Sequence, residues 1–418
     1  MTTLTSRKNS YREEARIWTE AYRTDRARFS LEDQELELLQ IPFTSTIHEA
    51  MPRETEVITD NPAFLALMNY YLGQAEASNE HIFKKLTVAD RDISENNHFS
   101  YPFIKPLGGS VKDVIILFHG LNEKSYDKYL PWAGRLVRDT GKGVILFPIA
   151  FHMNRAPSSW SSPRPMMQVS KERKQLFPDL QGASFANTAI SHRLQFAPQR
   201  FLLSGIQTFL DVNTLAGLIV DGSHPGVEKG AGIDLFGYSI GATLTEVLLM
   251  ANRGGRFSDS RGFLFCGGAV LDQLTPVNKA ILDNHSFDSI IRYFNKLLKE
   301  QGGREKMISH LTGEGNSGFE YFKSILLRDQ LRDKRENRFQ EIHRRLMAVA
   351  LEDDEVIPLT AILTALQGED RRIPTKVDTV SFPYPHSHEN PFPSNGGEEV
   401  EEGFDMVFAK AAAFLGNG

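Results

Sequence analysis

Hydrophobic positions along the chain fall into two alternating patterns. Continuous runs of β-branched and aliphatic residues occur at 114–118 and 144–147, and further apolar-rich runs at 233–236, 262–266 and 346–351. Between them the apolar spacing turns helical, at 126–136, at 202–218, from Ile240 through Leu244, Val247, Leu248 and Met250, and at 359–366. Such alternation is what parallel strands covered on both faces produce. Residues 82–88 and 99–104 predict an earlier pair of strands, 376–382 a last one, and Val400, Phe404, Val407, Phe408 and Phe414 an amphipathic closing helix. The expectation is an α/β fold with a mostly parallel central sheet and helices on both faces.

Three stretches depart from this alternation. Residues 1–78 read as a helical extension: 11–22 is a polar helix, 31–39 repeats leucines after the capping candidate Ser30, and Asn61-Pro62 opens a stronger helix. Residues 150–200 are rich in proline, serine and methionine, a long excursion of the kind that forms a lid or moves. Residues 276–344 predict helices at 281–298, 319–331 and 339–346 with glycine breaks, a helical insertion; the charged run 328–338 reads as a solvated face. The expected division is therefore 1–78 as extension, 79–275 with 345–418 as core, and 276–344 as cap.

Composition narrows the partners. With 41% hydrophobic and 10% aromatic residues the 418-residue chain can bury a large core. Its 47 basic and 53 acidic residues leave a net charge of -6 without a basic stripe, which points away from nucleic acid and anionic membranes and toward a small-molecule substrate. Cys266 is the one cysteine and sits in an apolar run, as a small core residue would. Residues 1–16 are polar and no run of 18 apolar residues occurs, so no membrane span and a cytoplasmic location are expected. Gly230-Ala231-Gly232 lacks a third glycine and precedes a strand, so no dinucleotide fingerprint is present and no cofactor is expected.

The chemistry gathers where the 233–236 strand meets the helix from Ile240, in Gly237-Tyr238-Ser239-Ile240-Gly241. Glycines on both sides of Ser239 permit a turn too sharp for flanking side chains, lifting the hydroxyl above the sheet at a helix N-terminus. A serine nucleophile needs a base, a carboxylate to orient the base, and donors for the oxyanion. Asp353 and Asp354 follow the 346–351 strand, His386 and His388 follow the last strand, and His119-Gly120 ends the 114–118 strand, with the Leu121 amide placed to pair with that of Ile240. Strand C-terminal ends line one crevice in such sheets. Pro383 and Pro385 keep the chain extended, and the turn-forming residues 387–391 put His388 at the bend with His386 beside it.

These residues resemble the α/β-hydrolase superfamily over roughly 80–275 and 345–416. Gly237–Gly241 matches its nucleophile elbow, Phe118-His119-Gly120 its oxyanion strand end, and Asp354-Glu355-Val356-Ile357-Pro358 its acidic position, which favours Asp354 over Asp353. The resemblance implies a metal-free serine hydrolase acting on an ester, thioester or related acyl bond, with Ser239, Asp354 and His388 catalytic and Leu121 and Ile240 forming the oxyanion hole. Tyr238, Arg155 and Arg164 are candidates for substrate contact, with the two arginines suited to a carboxylate or phosphate. Residues 276–344, with 150–200, would cover Ser239. Two other readings remain at this point: a hydrolase-fold protein that binds without turnover, and a metal site on His386, His388 and Glu389.

Overall fold

The structure is a computed structural model that describes residues 10–46, 86, 88–297 and 317–416. Its centre is a nine-stranded sheet of order β1-β2-β3-β5-β4-β6-β7-β8-β9. The strands are β1 Arg28–Leu31, β2 Leu36–Thr44, β3 His98–Pro106, β4 Val111–Phe118, β5 Gly143–Leu146, β6 Val227–Tyr238, β7 Gly262–Phe265, β8 Leu346–Leu351 and β9 Lys376–Val380. From β5 to β9 every pairing is parallel, whereas β1, β2 and β3 pair antiparallel with one another and β3 pairs antiparallel with β5.

Helices follow in chain order: α1 Tyr11–Ala21, α2 Tyr129–Thr140, α3 Pro163–Leu176, α4 Thr188–Phe196, α5 Gln199–Asp221, α6 Ile240–Ala251, α7 Asn284–Leu297, α8 Ser317–Ser324, α9 Arg332–Ile342, α10 Leu359–Gln367 and α11 Glu398–Leu415. Side chains alternate along the central strands, so β4 sends Val114, Ile116 and Phe118 into one core and Ile115 and Leu117 into the other. The first core is covered by α5, α6, α10 and the helices between β7 and β8; the second is covered by α1, α2 and α11. This is the expected α/β-hydrolase fold, a mostly parallel sheet between two helical layers.

The expected helical extension over 1–78 is corrected. Its described part has one α-helix, 11–21, and a single 3-10 turn at 32–34, while 28–31 and 36–44 add two antiparallel strands to the sheet edge. The helix expected from Asn61 lies outside the described residues, as does the strand expected at 82–88 apart from Leu86 and Val88. The 150–200 excursion is not an open loop, because α3 and α4 occupy much of it. Between β7 and β8 the described residues form α7, α8 and α9; the helix expected at 319–331 stops at Ser324, and the run 328–338 is not wholly solvated, since Arg335 is buried.

α5 is the one described helix long and apolar enough, by length and composition, to cross a membrane, and 67% of its most apolar window is buried inside the fold.

Candidate active site

β6 and β4 lie side by side at the centre of the sheet, and the chain after β4 leaves toward β5 while the chain after β6 leaves toward β7. That divergence opens a crevice at the strand C-termini. Ser239 stands at its floor, between the last residue of β6 and the first of α6, with φ 55° and ψ -122°. A non-glycine residue rarely adopts such a φ, at a cost on the order of 1–3 kcal/mol. The neighbouring glycines make it attainable. A Cβ at Gly237 would lie 2.5 Å from the Ala242 Cα, and one at Gly241 would lie 2.5 Å from the Phe118 carbonyl oxygen. Gly267, beyond β7, is equally constrained by the Ala242 side chain and the Ser239 carbonyl, and the Ser239 amide donates to the Phe265 carbonyl at 3.0 Å. The Gly267-Gly268 pair just beyond the strand beside the elbow was a readable signal for this third constraint.

His388 joins Ser239 to Asp354. Its Nε2 lies 2.7 Å from Ser239 Oγ, and its Nδ1 lies 2.8 and 3.0 Å from the two Asp354 oxygens. A carboxylate only accepts, so the hydrogen is on Nδ1 and the Nε2 lone pair faces the serine hydroxyl. Asp354 Oδ1 also accepts from the Val356 and Ile357 amides, each at 2.9 Å. Asp353 is exposed. The His388 turn is closed by the Asn390 amide donating to the Ser387 carbonyl at 3.1 Å. His386 instead places Nδ1 3.0 Å from the Tyr384 carbonyl, and Glu389 accepts from Asn278. The three residues of the metal reading therefore turn to different partners, and no cluster of three or more such ligands occurs among the described residues.

The turn after β4 is held by His119 and by three side chains that sequence alone did not single out, Tyr129, Glu123 and Lys128. His119 donates from Nδ1 to the Gly120 carbonyl at 2.8 Å and accepts at Nε2 from the Ile149 amide at 2.9 Å. Burial lowers its pKa to about 3, so it is a neutral strut. The Gly120 amide donates to Tyr129 Oη at 3.1 Å, and Tyr129 donates to Glu123 at 2.8 Å. Lys128 pairs with Glu123 and donates to the Glu389 carbonyl at 2.9 Å, bridging the β4 turn to the histidine turn. The next amides, at Leu121 and at Ile240 in the first turn of α6, donate to no protein group among the described residues.

The residues expected to meet substrate are placed differently. Arg155 is fully buried: it pairs with Asp211 at 2.8 Å and donates to Asn96 and to the Pro148 carbonyl. It cannot reach a substrate. Tyr238 is also buried, stacked on the His388 ring at 5.8 Å and donating to the His388 carbonyl, so it braces the histidine from beneath. Arg164 is exposed in the first turn of α3 and lines neither cavity described next.

Two adjoining cavities, of about 660 and 530 Å³ of empty space partly open to solvent, share Leu121, His152, Phe201 and Ser204 as walls. The larger reaches Ile240 and Thr243 of the elbow helix and is otherwise mainly apolar, with Phe322, Ile325 and Leu326 from the β7–β8 segment. The smaller reaches Lys124, Phe151 and Trp160. Ser239 itself is only 6% exposed.

Sheet order and elbow define the class, the α/β-hydrolase fold. The chain belongs to the family of unknown function DUF6051, whose model matches residues 9–416. No curated protein matches it in sequence. Among solved structures it is similar to carboxyl esterase 2 of the fungus Tuber melanosporum (12% identity, TM-score 0.38, 76% of this chain and 82% of that one). It is also similar to a Pyrobaculum calidifontis esterase (14%, TM-score 0.38, 75% and 81%) and a bacterial heroin esterase (13%, TM-score 0.36, 76% and 79%). Likeness at this level says nothing about activity.

Proposed function

We propose that this protein is a serine hydrolase that cleaves an ester, thioester or related acyl bond through an acyl-enzyme. The observation that carries the reading is the unbroken hydrogen-bonded chain Ser239–His388–Asp354 on a strained strand-to-helix turn. Ser239 Oγ attacks the acyl carbon while His388 Nε2 takes its proton. Asp354 holds the ring in the required tautomer and stabilises the imidazolium. The Leu121 and Ile240 amides receive the oxyanion, aided by the positive end of α6. His388 then returns the proton to the leaving group, and water, deprotonated by the same imidazole, releases the acid.

The segments 150–200 and 276–344 act as the cap in this reading. Asn122, next to Leu121, donates to the Ala186 carbonyl of the first segment at 3.1 Å and to the Ala280 carbonyl of the second at 2.5 Å. Asn278 of the second also holds Glu389 beside the base. Substrate entry then requires these contacts to part.

A fluorophosphonate probe tests the assignment. Wild-type protein is expected to label and to hydrolyse short p-nitrophenyl esters, and Ser239→Ala to lose the label and on the order of 10⁴-fold or more in kcat. A well-folded wild type that neither labels nor turns over any acyl ester would overturn the reading in favour of a binding protein.

A further inference from the structure

The smaller cavity carries charge that the triad does not use. Among its described lining residues are three cations, Lys124, Arg193 and Arg200, and one carboxylate, Asp90. Asp90 is clasped by both arginines. Lys124 is different. Its ammonium donates to the neutral Asn122 amide oxygen at 2.6 Å, and the nearby Glu123 carboxylate is taken by Lys128 and Tyr129. The side chain keeps substantial solvent contact, yet burial of the ammonium pushes its pKa down to about 8. The two observations agree for a lysine lining a cavity, walled by protein but wetted through the opening. A charge so placed gains from an anion brought into the cavity.

The wall shared by the two cavities limits where that anion can sit. His152 donates from Nδ1 to the Ala150 carbonyl at 2.9 Å, and its buried Nε2 has no protein partner among the described residues. Burial and the nearby His119 ring keep it neutral, with a pKa of about 3, so Nε2 presents a lone pair. A carboxylate is repelled there and is stabilised at Lys124. The larger cavity, against Ile240, has no charged residue in its described lining and takes an apolar chain.

Resting on the hydrolase reading, we propose that Lys124 is a specificity residue, and that the substrate is an acyl ester or thioester whose apolar acyl chain ends in a carboxylate, a half-ester of a dicarboxylic acid. The apolar chain lies along Leu121, Phe201 and Leu244 while the terminal carboxylate meets the Lys124 ammonium.

The experiment compares p-nitrophenyl half-esters of the straight dicarboxylic acids from succinate to suberate with the neutral p-nitrophenyl alkanoates of equal length. At the best length, wild type is expected to favour the half-ester by about tenfold or more in kcat/KM, chiefly through KM. Lys124→Met should remove that preference and leave the neutral esters within about twofold, while Lys124→Arg should restore it. Equal loss on both series, or a wild type indifferent to the carboxylate at every length, overturns the proposal and leaves the hydrolase reading standing. A binding arm covers the opposite case. Titration calorimetry of Ser239→Ala, which needs no turnover, is expected to show monoethyl adipate binding at least about tenfold more tightly than to Ser239→Ala/Lys124→Met. Equal affinity there refutes the role of Lys124, and tighter binding without any wild-type turnover refutes the triad reading alone.

Discussion

Asp353 and Asp354 are neighbours of identical chemistry, and their surroundings separate them. Asp354 is 8% exposed, accepts from two backbone amides and meets His388, whereas Asp353 points to solvent. Asp354→Asn puts an amide opposite His388 Nδ1 and favours the tautomer with its hydrogen facing Ser239. The expected loss in kcat is on the order of 10⁴, the scale found when the orienting acid of a serine protease is made an amide. Asp353→Asn should change kcat by less than about twofold, as expected of exposed side chains away from the reacting atoms. Equal effects of the two substitutions on kcat, with circular dichroism showing both folded, would remove Asp354 from its proposed role. Much of this residue-scale arrangement was legible because glycines and prolines carry backbone geometry in the sequence. Gly237 and Gly241 announce the turn, and the Pro383, Pro385 and 387–391 pattern puts the bend at His388. Arg155 was misplaced because a sequence records its charge without showing the buried carboxylate, Asp211, that neutralises it.

At the scale of elements, reading failed where the usual periods were blurred. In β2, Leu36 and Leu38 face one core while Ile41 and Phe43 face the other. A strand buried on both faces loses its alternation, and the leucines of 31–39 then imitate helical spacing. In the 150–200 segment the prolines misled in the opposite direction. Pro163 starts α3 and Pro198 immediately precedes α5, positions where a missing amide hydrogen costs nothing. The parallel strands were legible because their runs are short and rich in apolar residues, with those of β4 and β5 also continuous and β-branched. Arg155 now acts between elements: it ties the loop after β5 to α5 through Asp211, and to the stretch before β3 through Asn96, with its guanidinium 4.2 Å over the Phe99 ring. Arg155→Met leaves Asp211 buried without its cation and should cost about 3–5 kcal/mol. Thermal unfolding should show that loss, while KM for any accepted ester stays within about twofold because the side chain lines neither of the two cavities beside the elbow. A raised KM with unchanged unfolding would return Arg155 to the substrate.

At the scale of the whole molecule, the elbow helix and the helical segment between β7 and β8 meet across an unsatisfied buried acid. Glu246 of α6 is 2% exposed, and its Oε1 has no hydrogen-bond partner among the described residues. The buried Arg335 of α9 attracts it from a distance while donating to the Ser324 and Arg328 carbonyls. Burial outweighs that attraction and raises the Glu246 pKa from 4.5 to about 8. Between those two values the folded protein holds a proton that the unfolded chain releases. Stability from this group is therefore full below about pH 4.5 and falls as pH rises to about 8, by an amount on the order of a few kcal/mol. Glu246→Gln keeps the shape and removes the titration. Melting temperatures of wild type and Glu246→Gln should agree near pH 5 and diverge by about pH 8.5, with the glutamine variant the more stable there. A glutamine variant that retains the full wild-type slope between those limits would place the titrating group elsewhere. The same loss should loosen the packing of α9, which carries Arg335, against α6. Protease nicking within 317–342 should accordingly quicken above about pH 8 in wild type and not in Glu246→Gln, since local opening follows the free energy of the segment that opens.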